Sequence, residues 1–179
     1  EKLHELRRIH GLPGHPHVET PYIQANTGSL GMGVSKAKGM AIANRHAGTP
    51  RRVFVLTGDG ELQEGQFWEA AMSAPHLGVT NLTVFVDWNK AQIDGRVDEV
   101  MPLAPLADKW RAFGWQVLEI DGHSIPAIRS AIDAAKQETT RPTVVLAHTI
   151  KGKGVAFFEK DIVGWHGKAP SKDELAAAK

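Results

Sequence analysis

The apolar run Val53-Phe54-Val55-Leu56 is halted by Gly58-Asp59-Gly60, and a second run, Leu82-Thr83-Val84-Phe85-Val86-Asp87, ends beside Asn89, thirty residues after Asp59. Short β-branched runs closed by glycine predict buried parallel strands, and between them Leu62, Phe67, Ala70, Ala71 and Ala74 recur at helical spacing within residues 61–77. Strand, helix, strand implies a right-handed crossover in an open α/β sheet. If the two strands are neighbours, Asp59 and Asn89 reach the same carboxyl edge. Such sheets bind ligands at that edge, where helix amino termini offer free N–H groups and the positive ends of their dipoles to an anion. The flanking Gly58 and Gly60 suit this use, because a residue without Cβ tolerates φ > 0 and lets backbone approach a phosphate closely.

A bound diphosphate needs its charge neutralised, and a hard cation such as Mg²⁺ or Ca²⁺ does so through oxygen ligands. Asp59 offers a carboxylate and Asn89 an amide oxygen. Gly-Asp-Gly taken alone is also a common turn. Asp87-Trp88-Asn89 does not open an EF-hand loop, which would need an oxygen donor at Ala91, glycine at Gln92 and glutamate at Asp98. Gly28-Ser29-Leu30-Gly31-Met32-Gly33 lacks the G-x-G-x-x-G order and does not clearly follow a strand, so a dinucleotide fingerprint is absent. His15 and His17 have no third ligand close by in sequence, which leaves a metal reading of that pair weaker than simple exposure.

The rest of the chain repeats the alternation. A helix-like opening ends at Gly11-Leu12-Pro13-Gly14, a Pro-interrupted loop reaches Thr27, and residues 31–46 read as a helix. Its Gly33, Ala37, Gly39, Ala41 and Ala43 allow close approach of another element. After Asn89 the pattern is irregular through Asp94-Gly95-Arg96. Residues 103–113 then read as a helix, 115–120 as a strand, 125–138 as a helix and 143–148 as a strand. The expectation is a three-layer α/β/α fold with a mostly parallel sheet. From Lys151 to Pro170 no period is visible; this stretch suits a lid over the crevice or a solvated linker.

At 179 residues and 42% hydrophobic content, the chain has the size of one domain, residues 1–179. A formal net charge of +1 predicts no field for nucleic acid or a membrane surface. With no cysteine there is neither a disulfide scaffold nor a cysteine metal site. No run is long and apolar enough to span a bilayer, and the charged start Glu1-Lys2-Leu3-His4-Glu5 lacks a signal-peptide core, so the expected location is cytoplasmic.

The segment from Gly58-Asp59-Gly60 to Asp87-Trp88-Asn89 resembles the thiamine-diphosphate signature, and its details resemble transketolases. The likeness extends, in the family's order, through Pro13-Gly14-His15-Pro16, Thr27-Gly28-Ser29-Leu30-Gly31-Met32-Gly33 and Gly58-Asp59-Gly60-Glu61-Leu62-Gln63-Glu64-Gly65. It continues with Asp87-Trp88-Asn89-Lys90, Ile93-Asp94-Gly95, Phe113-Gly114-Trp115, Thr149-Ile150-Lys151-Gly152-Lys153-Gly154 and Trp165-His166-Gly167-Lys168-Ala169-Pro170. Nearly the whole chain is covered.

The resemblance implies that Asp59, Asn89 and the main-chain oxygen of Ala91 hold Mg²⁺ or Ca²⁺, with Gly58 and Gly60 beside the diphosphate. It implies that Gly28, Leu30 and Ile93 line thiamine diphosphate, and that His15 and His166 are catalytic, His166 also reaching the diphosphate. Glu64 matches a glutamate at an inter-chain contact that links two active sites. Read from the residues alone, His15 would be an exposed loop residue, Leu30 and Ile93 would be core, and Glu64 would be an acidic residue favoured in a helix's first turn.

The activity implied is transfer of a two-carbon ketol unit from a ketose to an aldose phosphate. The family's pyrimidine and C-terminal domains and its extreme N-terminal segment have no counterpart here. A partner subunit carrying the pyrimidine domain is therefore expected, in a dimer or heterotetramer, and the chain alone should be inactive. The alternatives are a 1-deoxyxylulose-5-phosphate synthase or dehydrogenase E1 type of enzyme, which share the diphosphate clamp, and a non-catalytic subunit remnant.

Overall fold

The computed structural model describes residues 2–178. After a 3₁₀ turn at Lys2–Glu5 and a run of turns, the regular elements are α1 (Gly33–His46), β1 (Val53–Gly58), a 3₁₀ turn (Gly60–Gln63), α2 (Gly65–His76) and β2 (Leu82–Trp88). A small hairpin of β3 (Ala91–Gln92) and β4 (Gly95–Arg96) leads into α3 (Val97–Val100) and α4 (Leu106–Ala112). Then come β5 (Gln116–Asp121), α5 (Ile125–Gln137), β6 (Thr143–His148), α6 (Ala156–Lys160) and α7 (Lys172–Ala177).

Four strands form one parallel sheet in the order β1-β2-β6-β5. Right-handed crossovers in that order place α2 and α4 on one face and α5 on the other, giving the three expected layers. Side-chain burial agrees. Val34, Ala37 and Ala41 of α1, Phe67, Ala70, Ala71 and Ala74 of α2 and Trp110 of α4 share one core with Val84 and Val86 of β2 and Val144 and Leu146 of β6. Small residues on α1 let it approach the sheet closely: a Cβ on Gly33 would lie 3.4 Å from Val55 Cγ2. The second face is thinner, for Ala131 and Ala135 of α5 are buried while Phe54 and Leu56 of β1 are exposed, Leu56 at 74%.

An aromatic group locks α4 beneath the sheet. Trp110 meets Phe67 at 5.7 Å and Trp115 at 4.7 Å between ring centroids, both edge-on. Trp115 Nε1 donates to the Ala71 carbonyl at 2.8 Å, so its buried polar atom is satisfied by α2.

The helix expected over residues 61–77 divides at Glu64. A 3₁₀ turn comes first, and Glu64 is the residue preceding α2 rather than a member of its first turn, with no capping bond from its side chain. Where the sequence pattern showed nothing regular, β3, β4 and α6 form. Beyond that stretch α7 begins with a capping box: Ser171 Oγ accepts from Glu174 N at 3.2 Å and Ser171 N donates to Glu174 Oε2 at 2.7 Å. This is the S-x-x-E spacing that marks a helix amino terminus.

Candidate functional site

β1 and β2 are adjacent with Gly58 paired to Asp87, so the expected neighbourhood of their carboxyl tips holds. The ladder runs one residue further, Asp59 N donating to the Asp87 carbonyl at 3.2 Å. Asp59 is 1% exposed. One of its carboxylate oxygens accepts from Gly60 N at 2.8 Å and the other from Lys90 N, across the gap to the loop after β2. Lys90 turns its N–H toward that carboxylate by adopting φ 64°, a left-handed conformation that costs a non-glycine residue about 1–2 kcal/mol. Beside it, Asn89 Oδ1 accepts from Ala91 N at 3.0 Å, which fixes the amide at the mouth of the β3–β4 hairpin.

Burial pushes the Asp59 carboxyl above its ordinary value; hydrogen bonds from Lys90 and Gly60 oppose this, and the Asp87 carboxylate adds to it. Asp59 is in no ion pair with a basic side chain among the described residues. A desolvated carboxylate in no direct ion pair among the described residues, next to an oriented amide oxygen, has the donor chemistry for a hard divalent ion.

Close approach, rather than φ > 0, explains the glycine at position 60: a Cβ there would come within 3.0 Å of Gln92 Cβ. Neither Gly58 nor Gly60 has positive φ, which corrects that part of the expectation. In the preceding loop, Gly28 (φ 124°) and Gly31 (φ 82°) do have positive φ. Gly31 N donates to Glu61 Oε1 at 3.0 Å, and a Cβ on Gly31 would strike the Glu64 side chain at 2.6 Å. Glu61 and Glu64 thus tie the Gly28–Gly31 loop to the turn that follows Asp59. Nothing in the sequence pattern marks this role for Glu61, which reads there as one residue of a helical run.

The two histidines belong to separate local constructions. His15 is exposed, and its ring lies against Gly28, where an added Cβ would come within 3.4 Å. His166 is exposed on the segment after β6, and its Nδ1 lies 2.5 Å from Lys151 Nζ. An ammonium only donates, so Nδ1 accepts and the imidazole carries its proton on Nε2. Burial, then the Lys151 charge, hold the His166 pKa below its ordinary value, with Asp94 opposing. Burial also lowers that of Lys151, against the pull of Asp59 and Asp87. Lys151 is thus within the electrostatic reach of the acids at the tips of β1 and β2. In the sequence Lys151 is a lysine on an irregular tail; only the fold turns it inward.

Leu30 and Ile93, core-like by composition, are instead 62% and 68% exposed at this edge. An apolar side chain standing in the open beside the crevice is available to a flat, partly apolar ligand. Two arrangements went unforeseen. Thr149 Oγ1 donates to Asp87 Oδ1, and the His148 ring stacks on Trp88 at 4.7 Å.

The molecule is thus an open α/β domain whose parallel sheet carries glycine turns, a buried acid and an oriented amide at its carboxyl edge. The sequence profile described as the thiamine diphosphate binding domain of transketolase matches residues 1–179. The chain belongs to the transketolase family. It is 49% identical over 149 residues to the 6-deoxy-6-sulfo-D-fructose transketolase subunit of Clostridium sp. strain MSTE9, covering 83% of this chain and 54% of that one. It is 42% identical over 168 residues to an apulose-4-phosphate transketolase subunit from Actinobacillus succinogenes, covering 93% of this chain and 60% of that protein. The chain thus spans little more than half the length of these relatives. The crystal structure of Campylobacter jejuni transketolase superposes with a TM-score of 0.80 at 28% identity, over 98% of this chain and 32% of that one. No helix among the described residues is long and apolar enough to cross a membrane.

Proposed function

We propose that this chain is the diphosphate- and metal-binding half of a thiamine-diphosphate-dependent transketolase, and that it works with a partner chain carrying the pyrimidine and C-terminal domains. The observation that carries this is Asp59, a buried carboxylate at the tip of β1 that is bonded to the backbone of the loop after β2 and has no cationic side chain paired with it among the described residues. Asp59, Asn89 and the Ala91 carbonyl would hold Mg²⁺ or Ca²⁺. Gly58 and Gly60 would leave room for the diphosphate, and Gly28, Leu30 and Ile93 would border the cofactor's rings. When bound, thiamine diphosphate supplies the carbanion stabilisation that lets a carbon–carbon bond of the ketose break.

The chain's own residues position and protonate. His166, held by Lys151 with its proton on Nε2, serves as a hydrogen-bond donor to an anionic oxygen or a substrate hydroxyl. His15, against Gly28, would face the substrate from the other side. Glu64 would meet the partner near the Gly28–Gly31 loop. Relatives named as subunits of sulfofructose and apulose-4-phosphate transketolases support a divided enzyme acting on anionic sugars.

Calorimetric titration of the chain with thiamine diphosphate and Mg²⁺, with and without candidate partner chains, tests the reading. Metal-dependent binding is expected, together with ketol transfer only when a partner is present. Turnover by the chain alone would refute the division of labour. Absence of binding under every condition would favour a non-catalytic subunit.

A further inference from the structure

The position of Lys151 beside His166 is set by the path of the three residues before it. At the end of β6 the His148 carbonyl accepts from Gly122 N at 2.8 Å. Thr149 donates its hydroxyl to Asp87 and its N–H to the Trp88 carbonyl, the latter at 3.4 Å. Ile150 N then donates to His123 Nε2 at 2.8 Å. The turn Asp121-Gly122-His123 after β5 therefore grips the chain leaving β6 at two places. Gly122 is needed for that fit, since a Cβ on it would lie 2.4 Å from Thr149 Cγ2. The turn itself is set by Asp121, whose Oδ1 accepts from His123 N at 2.8 Å.

We infer that His123 is a positioning residue: by accepting the Ile150 N–H on Nε2 it fixes the chain at the one point from which Lys151 reaches His166 and holds its Nε2–H tautomer. The inference rests on the proposed role of His166 for its functional meaning, though the contact itself does not. An accepting Nε2 requires a neutral ring protonated on Nδ1. Protonating His123 replaces the acceptor with a second donor and breaks the bond. The ionisable groups around this corner are Asp121 on the same turn, His148 with its partner Glu119 at 3.3 Å, and Lys151 one residue beyond Ile150. Acidification should therefore release the 150–170 arm at its root while the sheet stays folded.

Two variants of the full chain separate this from a general structural role. Glutamine can place Oε1 near the position of Nε2 and does not titrate, whereas alanine removes the acceptor. In the wild type, NMR should find the Ile150 amide protected from exchange, with protection falling as the His123 ring takes up a proton. His123→Ala should speed Ile150 exchange by about tenfold or more at neutral pH and mix the two tautomers of His166 in its ring ¹⁵N shifts. His123→Gln should retain both properties and lose their pH dependence. Unchanged Ile150 exchange and an unchanged His166 tautomer in His123→Ala overturn the inference. Should that variant fail to fold, a wild-type Ile150 amide indifferent to the titration of His123 overturns it equally. Two further measurements distinguish the levels: no binding of thiamine diphosphate and Mg²⁺ by a wild type whose Ile150 is protected defeats the functional reading alone, while equal turnover, with a partner chain, by wild type and a folded His123→Ala defeats the link from His123 to the site.

Discussion

The tips of β1 and β2 and the arm that follows β6 lie at the same carboxyl end of the sheet, but they are held in different ways. Asp59 and Asn89 are fixed by strand pairing and backbone hydrogen bonds above a shared core. Lys151 and His166 hang on a sequence of single contacts from Thr149, Ile150 and each other, all on a part of the chain that adds nothing to the main core. Within the arm, Phe157, Phe158 and Trp165 form their own aromatic knot, with neighbouring ring centroids at 4.6, 5.4 and 4.5 Å. If the proposed function holds, a site half built on strands and half on a loosely tethered arm would have its ion-binding groups set before any ligand arrives, while its hydrogen-bond donor would remain adjustable.

The strongest way to break this contrast is Asp59→Ala. Metal-dependent affinity for thiamine diphosphate should fall by about a hundredfold or more, roughly 2.7 kcal/mol, with the far-UV circular dichroism preserved. Retained affinity in titration calorimetry would show that Asp59 is not the anchor. Acidification probes the same carboxylate. Because burial raises its pKa above the ordinary value, the folded chain holds the Asp59 proton more tightly than the unfolded one does. That contribution to stability is complete below the unfolded value and disappears as pH rises through the folded one, whereas the metal requires the charged form. Metal-dependent binding should therefore begin to weaken at a pH above the ordinary aspartate range. Affinity measured across a pH series, with Asp59→Asn as the non-titrating comparison, checks the direction.

His166→Ala should act on the other half. In the assembled enzyme it should lower turnover by about a hundredfold, a usual magnitude for a general acid or base, and change cofactor affinity less than Asp59→Ala does. Steady-state kinetics beside calorimetry would show whether the arm and the strand tips divide their work in this way. Trp165→Ala sharpens the contrast further. It should abolish exchange protection within residues 155–166 while the global unfolding midpoint hardly moves, because the knot is separate from the main core. A large drop in the midpoint would show arm and sheet to be one cooperative unit. Smallest of all, Lys168→Ala removes an exposed charge that lies 4.2 Å above the Trp165 ring and 3.8 Å from Glu174, and should leave the chemical-denaturation midpoint nearly unmoved.

The sequence by itself determined the four main strands, the principal helices on both faces and the residues at the strand tips, while the strand order was left to the fold. Apolar runs with period and punctuation are local signals, and β6 was bounded correctly because Thr143 to His148 is apolar enough to be buried from both faces. Asp59 and Asn89 were legible for the same reason: each terminates such a run, and parallel neighbours deliver their ends to one edge. The tertiary structure alone decided that Glu61 would hold Gly31, that Lys90 would strain its backbone to reach Asp59, that Leu30 and Ile93 would stand exposed, and that Lys151 would turn toward His166. These are contacts between residues far apart in sequence or without periodic neighbours. Their partners are chosen by where the chain is carried, which no window of local pattern contains.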